Sequence, residues 1–279
     1  MKRLAIILGI SLMSVSVSAL EIVRSAGGGM GETISIRQSA PTDLLSIPTG
    51  SLEHLDWQLE TGYNRQFELS DFDQFFIAGS GRYGRFTLAL GLQQFGSADF
   101  YREQTIKSSL GFTYDSLTVG LMLGGMQVNF GDDRDFYLRA VSLGAGASYQ
   151  FRTIAGGVAI DNINSPELYD GSVAFEPVWS VYTEFTGHRS FSVLGRLTME
   201  NYQKPQLAIG QRIALAEQSS FTWGLSTEPF VFGGGIQLYV SRAAISYAAN
   251  YHPVLGLSHT VTIATGKLFK RQRDKSEFD

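Results

Sequence analysis

The stretch LRAVSLGAGASYQFRTIAGGVAIDNI (138–163) carries Gly144 and Gly146 as the first two glycines of a G-x-G-x-x-G pattern. That pattern brings backbone N–H groups up to a pyrophosphate at a helix N-terminus. His188 and Ser190 stand two residues apart, on one face if the segment is a strand, a spacing open to a histidine–serine dyad. The run Gly131-Asp132-Asp133-Arg134-Asp135 offers carboxylates to a divalent cation alongside lipopolysaccharide phosphates. Each of these chemistries needs particular surroundings. A dinucleotide site needs a helix after the second glycine, but Ala147-Ser148-Tyr149-Gln150-Phe151-Arg152 alternates strictly and puts Tyr149 where the third glycine belongs. No third orienting carboxylate accompanies His188 and Ser190. The acidic run lacks the ligand spacing of a calcium loop and reads as a solvated tip. His54, His252 and His259 show no metal-ligand spacing, and with no cysteine there is neither a thiolate site nor a disulfide framework. The expectation is a protein without enzymatic chemistry, cofactor or metal.

The alternation that removes the nucleotide reading recurs along the chain. Phe86, Leu88, Leu90 and Leu92 alternate with Thr87, Ala89, Gly91 and Gln93, and Leu117, Val119, Leu121 and Leu123 with Thr118, Gly120, Met122 and Gly124. The same pattern appears at 221–226 and 243–251. One face is bulky and apolar; the other is small or polar. The polar face of a soluble sandwich would be rich in charge, yet only 17% of the residues are charged. Glycine, at 31 of 279 residues, exceeds the usual ~7%. A lipid-facing outer surface and a hydrated interior account for both faces. The formal charge of −4 gives no nucleic-acid surface. At the N-terminus, MKRLAIILGISLMSVSVSA (1–19) reads as a signal peptide, with Lys2 and Arg3 before an apolar run and Val17-Ser18-Ala19 before the cleavage point.

Short turns at 83–85, 115–116, 152–153, 187–189, 217–218 and 241–242 alternate with longer connectors. The strands expected between them are 55–66, 74–82, 86–95, 104–114, 118–129, 138–151, 154–162, 173–186, 190–200, 206–215, 220–227, 234–240, 243–251 and 257–268. About fourteen antiparallel strands in an up-and-down barrel follow, all-β, occupying 55–269 in the outer membrane. Lipid supplies no hydrogen-bond partner, so the sheet must close on itself. Short turns and both termini are expected on the periplasmic side, with the longer loops outside, which leaves a basic periplasmic tail at 270–279. Aromatics beside the short turns (Tyr83, Phe86, Tyr114, Tyr149, Phe151, Phe185, Phe191, Phe221, Tyr239) are expected to form an interfacial girdle. Polar residues expected to line the lumen are Glu60, Asn64, Arg82, Gln93, Lys107, Gln127, Gln150, Arg152, Asp161, Glu176, Glu184, Arg196, Glu200, Arg212, Gln237 and Asn250. Residues 20–54 fall outside the alternation and contain Ile34, Ile36, Leu44, Leu45 and Ile47, which need burial; a plug or hatch inside the barrel would provide it.

Several segments resemble the FadL-like superfamily of outer-membrane barrels and its secretion-associated PorV/PorQ branch. Gly27-Gly28-Gly29-Met30-Gly31 is similar to the Gly-rich entry segment, and Ser46-Ile47-Pro48-Thr49-Gly50-Ser51-Leu52 to an Asn-Pro-Ala-Gly-Leu-like turn, with Ile47 in place of the Asn. Residues 146–171 look like the family's hairpin and Asn-rich loop, and 250–266 like its last hairpin, although the chain runs on into Lys270-Arg271-Gln272-Arg273. The resemblance implies transport or secretion-associated binding at the outer membrane. The partners it implies are outer-membrane lipid and either secretion-machinery proteins or a small hydrophobic molecule.

Overall fold

The computed structural model describes residues 27–52, 56–97, 101–130, 137–169, 172, 174–188, 191–216, 218–241 and 243–266. The expected signal peptide, residues 20–26 of the plug segment, the tail at 270–279, the acidic run at 131–135, His54 and Ser190 lie outside the described residues.

Fourteen strands form one antiparallel sheet: β1 Trp57–Arg65, β2 Asp73–Tyr83, β3 Phe86–Ser97, β4 Tyr101–Tyr114, β5 Leu117–Phe130, β6 Tyr137–Phe151, β7 Ile154–Asp161, β8 Val178–His188, β9 Phe191–Glu200, β10 Gln206–Ala216, β11 Ser219–Ser226, β12 Val231–Val240, β13 Ala243–His252 and β14 Gly256–Gly266. Each strand pairs with its sequence neighbours, and β1 pairs with β14 from Gln58↔Gly266 to Arg65↔His259, closing the barrel. At the end where β1 begins and β14 finishes, all six connections are two residues long. Gly84 (φ +59°), Asp115 (φ +54°) and Arg152 (φ +42°) take the left-handed backbone that such hairpin turns require. At the opposite end the connections are longer, up to 162–177. We refer to the two ends as the turn end and the loop end.

The largest departure from the expected boundaries is β8, which begins at Val178 and not at 173. Pro177 has no N–H to give a ladder, and the preceding residues bond among themselves: Phe175 N donates to the Pro166 carbonyl at 2.9 Å.

Side chains alternate between the outside and the inside throughout. On β5, Leu117, Val119, Leu121 and Leu123 point out and are 44–64% exposed, while Met122 on the inner face is 3% exposed. A continuous exposed belt of Leu, Ile, Val and Phe around a closed sheet is a surface for acyl chains. At the turn end, Trp57, Tyr83, Phe86, Tyr114, Tyr149, Phe151, Phe185 and Phe221 are exposed on the outer side. Tyr239 departs from the expected girdle: it shares the inner face of β12 with Gln237, and its hydroxyl donates to the Gln237 side chain at 2.9 Å.

Candidate functional site

The small residues of the inner face make sense once the N-terminal segment is placed. Residues 29–31, 33–36 and 41–50 are buried, Ile34, Ile36, Leu44 and Leu45 completely so. They run through the interior at the level of the turn-end half. Met30 and Gly31 press on Gly224 of β11, and Thr33 presses on Gly210 of β10, so closely that a Cβ at either glycine would collide with them. On the far wall a Cβ added at Gly111 or Gly120 would sit 2.6 Å from the Pro48 carbonyl oxygen, and one at Gly146 would sit 3.4 Å from Pro48 Cδ. This answers the question raised by the G-x-G stretch. A Cβ at Gly146 would meet the Val158 carbonyl at 3.0 Å before it met Pro48, and one at Gly144 would meet Met122 and the Ile160 carbonyl, so both glycines serve close packing inside the barrel.

Apolar contacts seat the segment on two sides. Leu44, Leu45 and Leu52 pack with Phe76, Ala78 and Ala89 of β2 and β3. Ile34, Ile36 and Ile47 pack with Ala155, Ala159 and Tyr182 of β7 and β8. Ile47, at the position where the resembled motif has an Asn, is buried in this cluster.

Two wall carboxylates fix the backbone. Glu184 on β8, 3% exposed, accepts the Ile36 N–H at 2.8 Å, the Arg37 N–H at 3.1 Å and the Ser35 hydroxyl at 3.1 Å. Glu60 on β1, 1% exposed, accepts the Thr42 hydroxyl at 3.0 Å and its N–H at 3.4 Å. Thr42 lies in a one-turn helix, Pro41–Leu44, started by Pro41; the Asp43 carboxylate accepts the Ala40 N–H at 2.9 Å. In a closed sheet of fourteen strands β1 and β8 lie seven apart, on opposite walls. The segment is therefore held across the full diameter. Further ties are Arg212 Nη1 to Gln38 Oε1 at 3.0 Å, Arg196 Nη1 to the Glu32 carbonyl at 3.4 Å, Arg37 Nη2 to the Ile154 carbonyl at 2.9 Å and Ser148 Oγ to the Thr49 carbonyl at 3.0 Å. Ser51 N donates to the Ile36 carbonyl at 2.8 Å, folding 36–51 back on itself.

The loop-end half is built differently. Lys107 of β4, 1% exposed, pairs with Asp161 of β7 at 2.5 Å. Ser142 Oγ lies 3.1 Å from the same carboxylate and 2.7 Å from Asn162 Oδ1. Asn64 Nδ2 donates to Gln74 Oε1 at 2.6 Å, and Asn64 Oδ1 accepts from the Thr260 hydroxyl at 3.0 Å. Beside these polar groups the inner wall of β3–β6 becomes largely apolar, with Glu103 set in it accepting from the Tyr101 hydroxyl. Met126 and Val128 are buried and pack with Tyr101, Leu138, Leu168 and Phe175. Tyr101 stacks edge-on against Phe130 at 5.4 Å and against Phe95 at 6.2 Å. Leu168 and Phe175 come from the connection between β7 and β8 and pack on this wall, and within that connection Asn162 Nδ2 donates to the Glu176 carbonyl at 3.4 Å.

Of the expected lumen residues, Glu60, Asn64, Gln93, Lys107, Gln150, Asp161, Glu184, Arg196, Glu200, Arg212, Gln237 and Asn250 lie on the inner face of their strands. Arg82 shares that face at the turn-end rim, where it is exposed and its Nε donates to the Gly84 carbonyl at 3.3 Å. Three positions need correcting. Gln127 lies on the outer face of β5, opposite Arg139 of β6, because its strand has left the apolar belt and the outer face there is polar. Arg152 is a turn residue, exposed, with its guanidinium 5.5 Å from the Phe151 ring. Glu176 precedes β8 in the connection, where its carboxylate accepts from Asn201 at 3.0 Å. Bulk alone assigns the apolar residues of the loop-end half to lipid, whereas the structure places them on the inner face. The phase of the pattern carried the signal: in Met126-Gln127-Val128-Asn129-Phe130 the apolar residues share parity with Gly120 and Gly124, the inner face, and the pairing with β4 and β6 shows no register shift.

Solved structures with this architecture have been found. The Ralstonia pickettii toluene transporter TbuX superposes with a TM-score of 0.71 at 12% identity, over 90% of this chain and 100% of that one. The two share one fold. The Pseudomonas putida toluene transporter TodX gives a TM-score of 0.66 at 12% identity, over 89% of this chain and 99% of that one. A deletion mutant of TodX, described as a monoaromatic hydrocarbon channel, gives 0.68 at 10% identity over 89% and 100%. No protein-family profile matches the sequence, and no curated protein matches it.

Proposed function

We propose that the protein is an outer-membrane transporter that admits small hydrophobic molecules, with the N-terminal segment acting as an internal plug. The observation that carries this reading is the change of lining along the axis. An apolar cluster of Met126, Val128, Leu138, Tyr101 and Phe175 stands on the loop-end side of a segment pinned to both walls by Glu60 and Glu184. Hydrophobic residues converging with a few placed polar groups form the usual lining of a small-molecule site. Such a surface would hold a hydrophobic solute, while the plug would prevent continuous water flow. The solved structures of the same fold, named as toluene transporters, support this reading. They lend no comparable support to the secretion-associated PorV/PorQ role, for which the motif resemblance remains the sole argument. In this reading the turn end is periplasmic and the loop end extracellular, in keeping with short periplasmic turns and longer outer loops.

The test is binding of toluene and of a naphthalene fluorophore to the purified barrel in detergent. The wild type is expected to bind the fluorophore saturably and to release it to toluene, and Met126→Glu/Val128→Glu to lose that binding while remaining heat-modifiable. Equal binding by the variant would remove the site from the loop-end wall.

A further inference from the structure

The carboxylates on the inner face of the barrel have different duties. Glu60 and Glu184 hold the backbone of the plug, and Asp161 pairs with Lys107. Glu103 of β4 stands apart from both arrangements. It shares the inner face with Tyr101, Thr105 and Lys107. The register sets it between Phe95 of β3 and Val128 of β5, with Leu138 of β6 beyond Val128. Side chains directly opposite on neighbouring strands stand ~5 Å apart, so one carboxyl interrupts an apolar row. One row nearer the turn end, Met126 lies opposite Thr105. Nearer the loop end the neighbours are aromatic: Tyr101 packs against Phe95 and Phe130, and Phe72 against Phe95 at 5.7 Å.

A carboxyl in such a row carries a desolvation cost that an apolar side chain would not. A wall that met bare hydrocarbon would gain nothing in return. The partner of this carboxyl is informative: the Tyr101 hydroxyl donates to Glu103 Oε1. Tyrosine is itself a phenol, so the wall already seats one phenol hydroxyl on Glu103 with the ring against Phe95 and Phe130. An ionised carboxyl has about four acceptor positions, and a protonated one keeps acceptor capacity. Tyr101 therefore leaves capacity for a second donor.

We propose that Glu103 selects a hydroxylated aromatic solute, a phenol, by accepting its O–H while the ring lies against Met126, Val128 and Leu138. The inference rests on the hydrophobic-solute reading above and narrows it: the preferred cargo carries a donor on its ring and is not a bare hydrocarbon.

The test is displacement of the naphthalene fluorophore from the purified barrel in detergent, corrected for uptake by micelles. The competitors are p-cresol, its methyl ether and toluene, which share one ring and one methyl group; p-cresol alone has a donor. The ratio between the displacement constants of p-cresol and its ether reads the hydroxyl and cancels general changes in the site. Wild type is expected to favour p-cresol by about tenfold, as one hydrogen bond to a charged acceptor provides. In Glu103→Leu the ratio should fall to about one. Glu103→Gln, which keeps an acceptor oxygen, should give an intermediate ratio. Tyr101→Phe, which frees an acceptor position, should keep the preference or raise it. If Glu103→Leu does not fold, the wild-type ratio and the Gln variant decide. Equal displacement by p-cresol and its ether in wild type overturns the inference and leaves the hydrophobic site standing, as does a preference that survives both Glu103 variants. A barrel that never binds the fluorophore overturns the hydrophobic-solute reading and this inference with it.

Discussion

The turn-end and loop-end halves of this barrel use one zigzag in opposite ways. Near the turns, the inner face is stripped to glycine at 111, 120, 210 and 224, and the space is filled by the N-terminal segment, whose backbone is fixed by Glu60 and Glu184. Near the loops, the inner face carries Met126, Val128 and Leu138, and the outer face carries Gln127 and Arg139. The difference follows from the two media. In the belt the outer face meets acyl chains and must be apolar, so polar groups can only go inward. Above the belt the outer face meets headgroups, and the inner face is free to become a hydrophobic wall.

The largest expected effect comes from removing an anchor. Glu184→Ala leaves the Ile36 and Arg37 N–H groups without their acceptor in a buried site. At about 3 kcal/mol for charge-assisted bonds lost this way, the unseated fraction should rise ~100-fold. Single-channel recording should show frequent openings, and Glu184→Gln, which keeps an acceptor oxygen, should open less. An unchanged record would mean that the carboxylate does not hold the segment. Next comes the belt: Leu121→Arg puts a cation on the lipid face of β5 and should cost ~2–4 kcal/mol in reversible folding into bilayers. Met126→Glu, five residues along but on the inner face, should weaken hydrophobic-probe binding roughly tenfold, about 1.4 kcal/mol. The smallest effect is expected at Gln127→Arg, on the same outer face as Leu121 but above the belt, at ~0–1 kcal/mol. If Leu121→Arg and Gln127→Arg cost the same, the two positions lie in one medium and the comparison between the halves fails.

Much of the fold was legible in the sequence because lipid imposes a strict rule. Alternation over 86–92 or 117–124 admits one reading when charge is scarce, and strand boundaries followed within a few residues except at Pro177. Closure was readable from the hydrogen-bond requirement alone. The interior was only partly legible. Glu60, Glu184, Arg196 and Arg212 announce themselves as charges inside an otherwise uncharged zigzag, but nothing local shows that the first two hold backbone N–H groups of residues 36–42. Such contacts span up to 148 positions in sequence and exist only once the barrel has closed. Polarity misled at Gln127 and Arg152, where the residue type was judged without its parity or its turn. Phe95, Tyr101 and Phe130 were hidden by the converse assumption that every large apolar side chain faces lipid.

The central claim is that the N-terminal segment closes the turn-end half of a barrel that would otherwise conduct. Planar-bilayer recording of the wild type beside a variant lacking residues 27–52 tests it most directly. The wild type should be electrically quiet, and the deletion should give discrete, long-lived conductance steps while keeping the heat-modifiable mobility of a folded barrel. A wild type that conducts as freely as the deletion, or a folded deletion as silent as the wild type, would contradict it.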